Sequence, residues 1–248
     1  MSDLSRAMGS LAGLASGHPA WISLILTLAF AGLARLVRGV SVSGALAGAA
    51  ICFVLYISAG PGAFVALVSV FVLAWVSTRV GYQRKRRLGT AERRDGRTAL
   101  QVLANLGIAA ICCAFAAMTS RTAAFLLAAS AALSEPAADT VSSELGQARS
   151  VTARLITTGE KVSAGTDGGV SWVGSLAGIG AATLVSLACI FTGLIPMTRV
   201  GISIFAAVVG MIADSYLGAL FERRRLLTND AVNFLGTLIA AASAFLMS

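Results

Sequence analysis

Residues 99–118 read ALQVLANLGIAAICCAFAAM, a stretch that is apolar almost throughout and has no charged side chain. A transmembrane helix needs about 20 predominantly apolar residues, so this stretch is long enough to cross a bilayer. The apolar stretches of this sequence do not alternate apolar and polar residues as the strands of a membrane β-barrel do. The sequence therefore predicts an all-α, polytopic transmembrane helix bundle of about seven to eight spans. Comparable apolar blocks recur near residues 20–37, 42–58, 61–77, 122–138, 171–192, 200–221 and 231–247.

The composition also indicates a membrane protein, because 57% of the residues are hydrophobic and only 12% are charged. Soluble domains keep about a quarter of their residues charged. We expect a single integral membrane domain over residues 1–248, with a basic cytoplasmic loop at 78–98 and a motif-bearing cytoplasmic loop at 139–171. His18 is the only histidine, which argues against catalysis by a histidine base.

The basic residues indicate how the bundle is oriented. Cytoplasmic loops carry an excess of Lys and Arg, and the largest cluster of arginines falls in loop 78–98. With eight spans, 16 of the 19 basic residues lie on the cytoplasmic side. Most acids lie on the same side, so we expect the active site on the cytoplasmic face. Since the sequence has no transit segment rich in Arg and Ser, we expect a bacterial inner membrane.

Several carboxylates fall in or beside apolar blocks, where an ionised side chain is costly and usually functional. Glu135 and Asp139 are four residues apart, so a helix presents both on one face, and Asp214 comes from a different block. Because Mg²⁺ prefers oxygen ligands, we expect these acids to hold it together with Glu144 and Asp230. Two alternatives stay open: such acids pair with arginines to fix helix packing, and Asp230 caps a helix.

A second set of polar residues suits phosphate. Arg97 lies on one helical stripe with two amides, and a guanidinium binds phosphate through two hydrogen bonds. The Gly-rich loop 165–171 precedes an apolar block and can form either an anion-binding nest or a tight turn. We expect the catalytic residues to be Asp139, Asp214, Glu135 and Arg97. The expected phosphate-binding residues are Gln101, Asn105, Lys161, Gly165, Thr166, Gly168, Gly169, Ser171, Asn229 and Asn233.

Five motifs, in their order along the chain, resemble a family of multi-pass membrane proteins that includes animal transmembrane protein 19 and the plant phytyl-phosphate kinase. The resemblance runs from about residue 41 to residue 233 and implies phosphorylation of a phytyl-like monophosphate to the diphosphate. The motifs are Gln101-Val102 with Asn105, Ala138-Asp139-Thr140 with Ser143-Glu144 and Gly146, Gly165-Thr166 with Gly168-Gly169-Val170-Ser171, Asp214-Ser215 with Gly218-Ala219, and Asn229-Asp230 with Val232-Asn233.

These residues and the resemblance together predict phosphoryl transfer from a nucleoside triphosphate, CTP or another, to a prenyl phosphate lipid, with Mg²⁺ as the cofactor. The attacking phosphate oxygen is already ionised, so the reaction needs no histidine base. Nucleotidyl transfer to a lipid phosphate, or transport of a phosphorylated lipid or small anion, remain alternatives. The arginines of 84–87 favour a solvated surface that attracts anionic membrane lipids, and we expect no nucleic-acid partner.

Overall fold

The computed structural model describes residues 20–92, 95–150 and 152–248. A short 3₁₀ turn (Met197–Arg199) precedes the helix that begins at Val200, and a π-helical segment (Gly218–Glu222) follows the end of that helix. The helices of this part of the chain are α1 (Ala20–Leu36), α2 (Val42–Arg79), α3 (Tyr82–Leu88), α4 (Ala99–Met118), α5 (Thr122–Arg149), α6 (Trp172–Phe191), α7 (Val200–Leu217) and α8 (Asn229–Leu246).

Helix α2 folds back on itself at Gly60, so it supplies two spans. Gly60 has φ 73° and ψ −163°, a conformation that glycine tolerates, and Pro61 follows it. Trp75 Nε1 and Arg79 Nη2 both donate to the Val37 carbonyl oxygen, over 3.2 and 2.9 Å. Because Val37 lies just before the start of α2, its end must return beside its start. The two arms correspond to the spans predicted at 42–58 and 61–77.

Helix α5 is the centre of the bundle. Every residue from 127 to 138 is buried, and α5 packs against α2, α4, α6, α7 and α8. A proline within a helix is expected to kink or break it, so the sequence predicts a break or a kink after Glu135. The helix does not break, because α5 runs through Pro136 to Arg149. Neighbouring helices enclose this turn, and such packing lets membrane helices tolerate proline.

The segments predicted as loops contain regular structure. Residues 139–149 are the last turns of α5, and strands β1 (Thr152–Leu155), β2 (Lys161–Ser163) and β3 (Gly169–Val170) follow them. The strands form an antiparallel sheet in the order β2-β1-β3, with Arg154 opposite both Lys161 and Val170. The basic segment 78–98 likewise contains α3. A hydrophobicity profile misses these elements because they are short and polar.

Most connections that carry charge meet at one end of the bundle, which we call the polar end. There the Ser41 amide donates to the Arg97 carbonyl over 2.9 Å, and the Arg97 amide donates to the Gly39 carbonyl over 3.1 Å. Arg84 Nη2 donates to the Ser150 carbonyl over 2.6 Å, which ties α3 to the end of α5. The loops before α2, α3, α4 and β1 therefore lie together.

The opposite end carries little charge. A Cβ at Gly62 would lie 3.1 Å from Thr192 Oγ1, which places the turn of α2 beside the end of α6. Arg199 Nη1 donates to the Met247 carbonyl over 3.3 Å. Within the described residues, Arg199 and Arg121 are the basic side chains at this end. This asymmetry matches the one that the sequence predicts.

Five helices within the described residues are long and apolar enough to cross a membrane: α2, α4, α6, α7 with its flanking turns, and α8. Helix α1 is a shorter apolar helix. Because the other helices surround α5, it can carry serines and acids away from lipid. The chain is therefore an all-α, multi-pass integral membrane bundle, which confirms the predicted fold class.

Buried serines join the central helices. Ser130 Oγ and Ser203 Oγ are 2.8 Å apart, Ser203 and Ser186 are 2.9 Å apart, and Ser186 and Ser134 are 3.0 Å apart. Hydroxyl hydrogen bonds between membrane helices stabilise their packing by about 0.6 kcal/mol each. This series of serine hydrogen bonds links α5, α6 and α7 just before the position of Glu135.

Candidate phosphate and metal site at the polar end

Two buried carboxylates from different helices converge on the backbone of α8. Glu135 of α5 is 1% exposed, and Asp214 near the end of α7 is 9% exposed. Glu135 Oε1 and Asp214 Oδ2 have no hydrogen-bond partner among the described residues. A Cβ at Gly236 would lie 2.8 Å from Glu135 Oε1 and 3.3 Å from Asp214 Oδ2. Glycine thus lets both carboxylates approach α8, and their unpaired oxygens suit a cation.

Asp139 lies one turn after Glu135 on α5 and connects the carboxylate pair to a positive charge. Its charge interacts with those of Arg97 and Glu144. Glu135 and Asp214 each interact with Asp139 in turn. The structure therefore brings the three predicted catalytic acids and Arg97 into one electrostatic cluster.

Arg97 is held in place by both its backbone and its side chain. Besides its two backbone hydrogen bonds to the α1–α2 loop, a Cβ at Gly44 would collide with its carbonyl oxygen, so only glycine permits this contact. Arg97 Nη2 donates to Thr140 Oγ1 over 3.1 Å, and its Nε lies 3.9 Å from Glu92 Oε2. The guanidinium is thereby fixed beside α5, next to Asp139.

An apolar cavity of about 370 Å³ opens beside Arg97, between α1, α2 and α4. Its volume falls in the range of about 300–1,000 Å³ that is typical of small-molecule sites. Its apolar lining comes mostly from the helices, whereas Arg38 and Arg97 come from the segments that connect them and Arg79 from the last turn of α2. The lining includes Phe30, Leu67, Val70, Phe71 and Trp75, together with Arg38, Arg79 and Arg97.

Glu144 has a different partner from the predicted metal. Lys85 of α3 is fully buried, and its Nζ donates to Glu144 Oε2. The same ammonium donates to the carbonyl oxygens of Ser77 and Thr78, over 3.2 and 2.8 Å. Lys85 therefore makes three hydrogen bonds, one of them to Glu144, and a metal role for Glu144 stays a prediction. Lys85 belongs to the basic run that was expected to be a solvated surface, and it was missed for that reason.

The Gly-rich loop is a tight connection between β2 and α6. Gly165 and Gly168 have φ of 89° and 73°, in the left-handed region that favours glycine. Thr166 Oγ1 donates to the carbonyl of Ser163, the last residue of β2, over 2.8 Å. Ser171 Oγ caps α6 by accepting from the Gly174 amide over 3.1 Å. These contacts agree with the tight-turn alternative, and phosphate binding by the loop stays a prediction.

The same loop packs on the π-helical segment after α7. A Cβ at Gly168 would collide with Ala219, and the Gly169 amide donates within the loop over 2.8 Å. At Gly218, a Cβ would lie 3.2 Å from the Gly168 amide nitrogen and 3.8 Å from Glu222 Oε2. The loop therefore lies next to an acid of the cluster described below.

Glu222 is a candidate residue that the sequence did not reveal. It ends the π-helical segment, accepts a hydrogen bond from the Asn229 side chain, and interacts electrostatically with Asp167, Asp139 and Asp230. π-Helical turns occur frequently at functional sites. The i,i+4 patterns that revealed other acids do not apply to Glu222, and the π turn cannot be read from the sequence.

Helix α8 is capped by Thr228, whose Oγ1 accepts from the Ala231 amide over 3.3 Å. Asp230 lies in the first turn, where a negative charge is favourable. Asn233 follows Asn229 by one turn, and its carbonyl accepts from Thr237 Oγ1 over 2.9 Å. The helix-terminus alternative thus explains the position of Asp230, and its metal role stays a prediction.

The other predicted phosphate ligands have local roles. Gln101 completes a capping box, in which its Oε1 accepts from the Thr98 amide over 2.8 Å. Asn105 lines the apolar cavity, and its Nδ2 donates to the Gln101 carbonyl over 2.8 Å. Lys161 is exposed on β2. Of the predicted stripe, Arg97 and Asn105 therefore lie at the cavity.

The donor set suits Mg²⁺ only in part. Among the described residues, no three His, Cys, Asp or Glu side chains converge closely enough to hold a metal ion. Mg²⁺ commonly takes one or two carboxylates and completes its shell with water and substrate phosphate oxygens. Glu135 and Asp214, with their unpaired buried oxygens, fit that pattern.

Comparisons with known proteins agree with the motifs. The family described as integral membrane protein DUF92 matches residues 25–241. The chloroplastic protein VTE6 of Arabidopsis thaliana is 29% identical, over 100% of this chain and 82% of the relative. An uncharacterized membrane protein of Methanocaldococcus jannaschii is 32% identical, over 88% of this chain and 90% of the relative.

A third relative, protein PGR of Arabidopsis thaliana, is 30% identical over 75% of this chain and 73% of its own length. No solved structure matches the chain. These three relatives come from a plant and an archaeon, and the similarity extends over most of the bundle.

Proposed function

The chain belongs to the DUF92 family of integral membrane proteins, and on that premise we propose that it is a membrane-embedded phosphotransferase. It converts a prenyl monophosphate to the diphosphate with a nucleoside triphosphate and Mg²⁺. The family that the motifs resemble includes a phytyl-phosphate kinase, and VTE6 aligns with the whole chain. The position of Arg97 is the observation that carries the proposal.

Arg97 lies between the two parts of the site that such a reaction needs, the buried acids and the apolar cavity. On one side its guanidinium contacts Thr140 and interacts with Asp139, next to the buried carboxylates. On the other side it lines the apolar cavity. An amphiphilic phosphate with its head at Arg97 therefore presents its phosphate to the acids and its tail to apolar side chains.

Phosphoryl transfer between phosphates depends on positioning and charge neutralisation rather than on a protein base. Arg97 binds the lipid phosphate through its planar fork of N–H donors and orients the attacking oxygen. Glu135 and Asp214 would hold Mg²⁺, which when bound would neutralise the charge of the reacting phosphates. Asp139 interacts electrostatically with Arg97, and we assign it the role of keeping the guanidinium oriented.

The nucleotide approaches from the aqueous side. The Gly165–Ser171 loop and the Asn229 side chain border Glu222 there, and backbone amides of a Gly-rich loop can bind phosphate oxygens. The arginine excess at the polar end supports a cytoplasmic position for this face, because cytoplasmic loops carry more Lys and Arg. A bacterial inner membrane fits this orientation.

The test is label transfer by the detergent-purified protein. Phytyl and geranylgeranyl monophosphates are each combined with γ-labelled CTP, ATP, GTP or UTP, with and without Mg²⁺. We expect Mg²⁺-dependent label in a lipid diphosphate. The Asp139→Asn, Glu135→Gln and Asp214→Asn variants should each lose activity about a hundredfold or more. Glu160→Gln is the matched control, because this acid is exposed in the β1–β2 connection.

Two outcomes would overturn the proposal. Wild-type rates in all three carboxylate variants would exclude the acid cluster from catalysis. Label transfer in no combination would exclude the kinase. Release of pyrophosphate from the nucleotide would instead indicate nucleotidyl transfer, and uptake of labelled prenyl phosphate into proteoliposomes would indicate transport.

A further inference from the structure

We propose that the apolar cavity between α1, α2 and α4 is the site of a single lipid tail, and that Arg38, Arg79 and Arg97 bind the monophosphate head at its mouth. This inference rests on the proposed function and deepens it by assigning where the lipid substrate binds. No sequence motif indicates this site, because its walls are ordinary apolar residues of three separate helices.

The cavity has a charged end and an apolar end. Arg79 and Leu67 both line it and are on the same arm of α2. At 1.5 Å per residue the rise between them is roughly 18 Å, which is more than half of a hydrocarbon core of about 30 Å. Phe30 lines the corresponding stretch of α1. The cavity therefore extends from the membrane interface towards the middle of the bilayer, as a lipid tail does.

The three arginines at the mouth differ in whether other protein groups already bind their guanidinium N–H donors. Arg79 stacks on Trp75, 3.7 Å from the ring centroid, and donates to two backbone carbonyls. Within the described residues, the Arg38 guanidinium has no hydrogen-bond or ion-pair partner. Arg38 also has φ 56°, a strained conformation for a residue with a side chain. A phosphate monoester complements this positive charge; of the described residues that line the cavity, Glu92 is the one acid.

A lipid can reach the cavity from within the membrane. Helix α1 packs mainly against α2 and lies at the edge of the bundle. Its outer face exposes Trp21, Leu24, Ile25 and Leu28, so it contacts lipid directly. One wall of the cavity is thus a peripheral helix, and an isoprenoid tail can enter beside it without crossing water.

Gly48 offers a way to test the cavity without disturbing the fold. It lines the cavity, and a Cβ added there would meet no atom within 4 Å. Gly48→Leu should therefore fill part of the cavity while the helices keep their packing. Gly107 is the matched control: it is also half-buried in a helix and has open space around its Cβ position, but it does not line the cavity.

Binding is measured through Trp75, which lies in the cavity wall. Replacing the two exposed tryptophans, Trp21→Phe and Trp172→Phe, leaves Trp75 as the only tryptophan. Its fluorescence is titrated with geranylgeranyl and geranyl monophosphates in detergent, without nucleotide or Mg²⁺, so that no turnover is involved. Phosphatidic acid serves as a lipid phosphate with two tails.

We expect Gly48→Leu to weaken geranylgeranyl monophosphate binding about tenfold or more and to affect the shorter geranyl compound less. Gly107→Leu should leave both affinities unchanged, and Arg38→Gln should weaken both. Equal affinities in the Gly48→Leu and parent proteins would overturn the tail site. Binding of phosphatidic acid as tight as that of the prenyl phosphate would overturn the single-tail assignment.

These results separate the two proposals. Tight binding with the expected Gly48→Leu effect, but without label transfer, would refute the kinase and keep the lipid site. Label transfer whose dependence on tail length is unchanged by Gly48→Leu would keep the kinase and refute this site.

Discussion

Glu135 and Asp214 belong to different helices, yet their unpaired oxygens approach the same backbone position, that of Gly236 on α8. One added methyl group there would lie 2.8 Å from Glu135 Oε1 and 3.3 Å from Asp214 Oδ2. A contact of 2.8 Å is too short for carbon and oxygen, so the glutamate would have to move. Gly236 therefore sets the geometry of the carboxylate pair.

We predict that Gly236→Ala separates catalysis from folding. The end of the Glu135 side chain can move, and alanine favours a helix over glycine by about 1 kcal/mol, so stability should not fall. The displaced carboxylate should weaken Mg²⁺ binding about tenfold or more. The measurement is the Mg²⁺ dependence of label transfer, alongside thermal unfolding in detergent.

Gly180→Ala is the control for this prediction, since Gly180 is an exposed helical glycine with no atom within 4 Å of its Cβ position. It should leave the Mg²⁺ dependence unchanged, and its stability should not fall either, for the same reason of helix propensity. An unchanged Mg²⁺ dependence in a well-folded Gly236→Ala protein would contradict the assignment of Glu135 and Asp214 as metal ligands.

The buried Lys85–Glu144 salt bridge leads to a prediction about stability. Lys85→Met leaves the Glu144 charge buried without its partner, which should cost about 3–5 kcal/mol of the free energy of unfolding. The loss is measured by thermal and denaturant unfolding in detergent. Arg86→Met, at the exposed neighbouring position, should stay within about 0.5 kcal/mol of the parent protein.

The double variant Lys85→Met, Glu144→Leu tests the catalytic side of the same contact. Replacing both charges with apolar side chains should recover most of the lost stability. It should also keep label transfer, because Glu144 is engaged by Lys85 and not by the phosphates. A stable double variant that has lost its activity would instead support Glu144 as a metal ligand.

The sequence predicts the spans and the main acids because both are local signals. Apolar blocks are contiguous, and the spacing of Glu135 and Asp139 is one helical turn. The turn of α2 at Gly60-Pro61 is also marked by two residues that interrupt a helix. Each of these features needs no knowledge of distant contacts.

The features that the sequence does not reveal depend on contacts between distant segments. Lys85 and Glu144 are 59 residues apart, and nothing in the basic run distinguishes the one side chain that becomes buried. Glu222 enters the acid cluster through a π-helical turn. The cavity beside Arg97 exists only once α1, α2 and α4 are packed. Tertiary packing, rather than local propensity, determines all three.

The orientation of the bundle can be tested with single cysteines. Glu160→Cys at the polar end should react with a membrane-impermeant maleimide only from the cytoplasmic side, and Arg121→Cys only from the other side. Both parent residues are exposed, and the four native cysteines are buried. Labelling is compared in intact cells and inverted membrane vesicles. The opposite pattern would place the acid cluster outside the cytoplasm.

We predict that phosphate binding by Arg97 depends on the planar guanidinium and not only on the positive charge. Arg97→Lys keeps a cation but loses the planar fork that binds phosphate and reaches Thr140 Oγ1. We expect kcat/KM for the lipid phosphate to fall about a hundredfold, a loss of roughly 2.7 kcal/mol of transition-state binding. Steady-state kinetics with varied lipid phosphate at saturating nucleotide measure it.

Two further variants show whether this loss is specific. Thr140→Val removes the hydroxyl that positions Arg97, so kcat/KM should fall about fivefold, since an orienting hydrogen bond contributes about 1 kcal/mol. Arg199→Lys, at the opposite end of the bundle, should leave the kinetics unchanged. If Arg97→Lys behaves like Arg199→Lys, the phosphate does not bind at Arg97, and the link between the cavity and the acid cluster is lost.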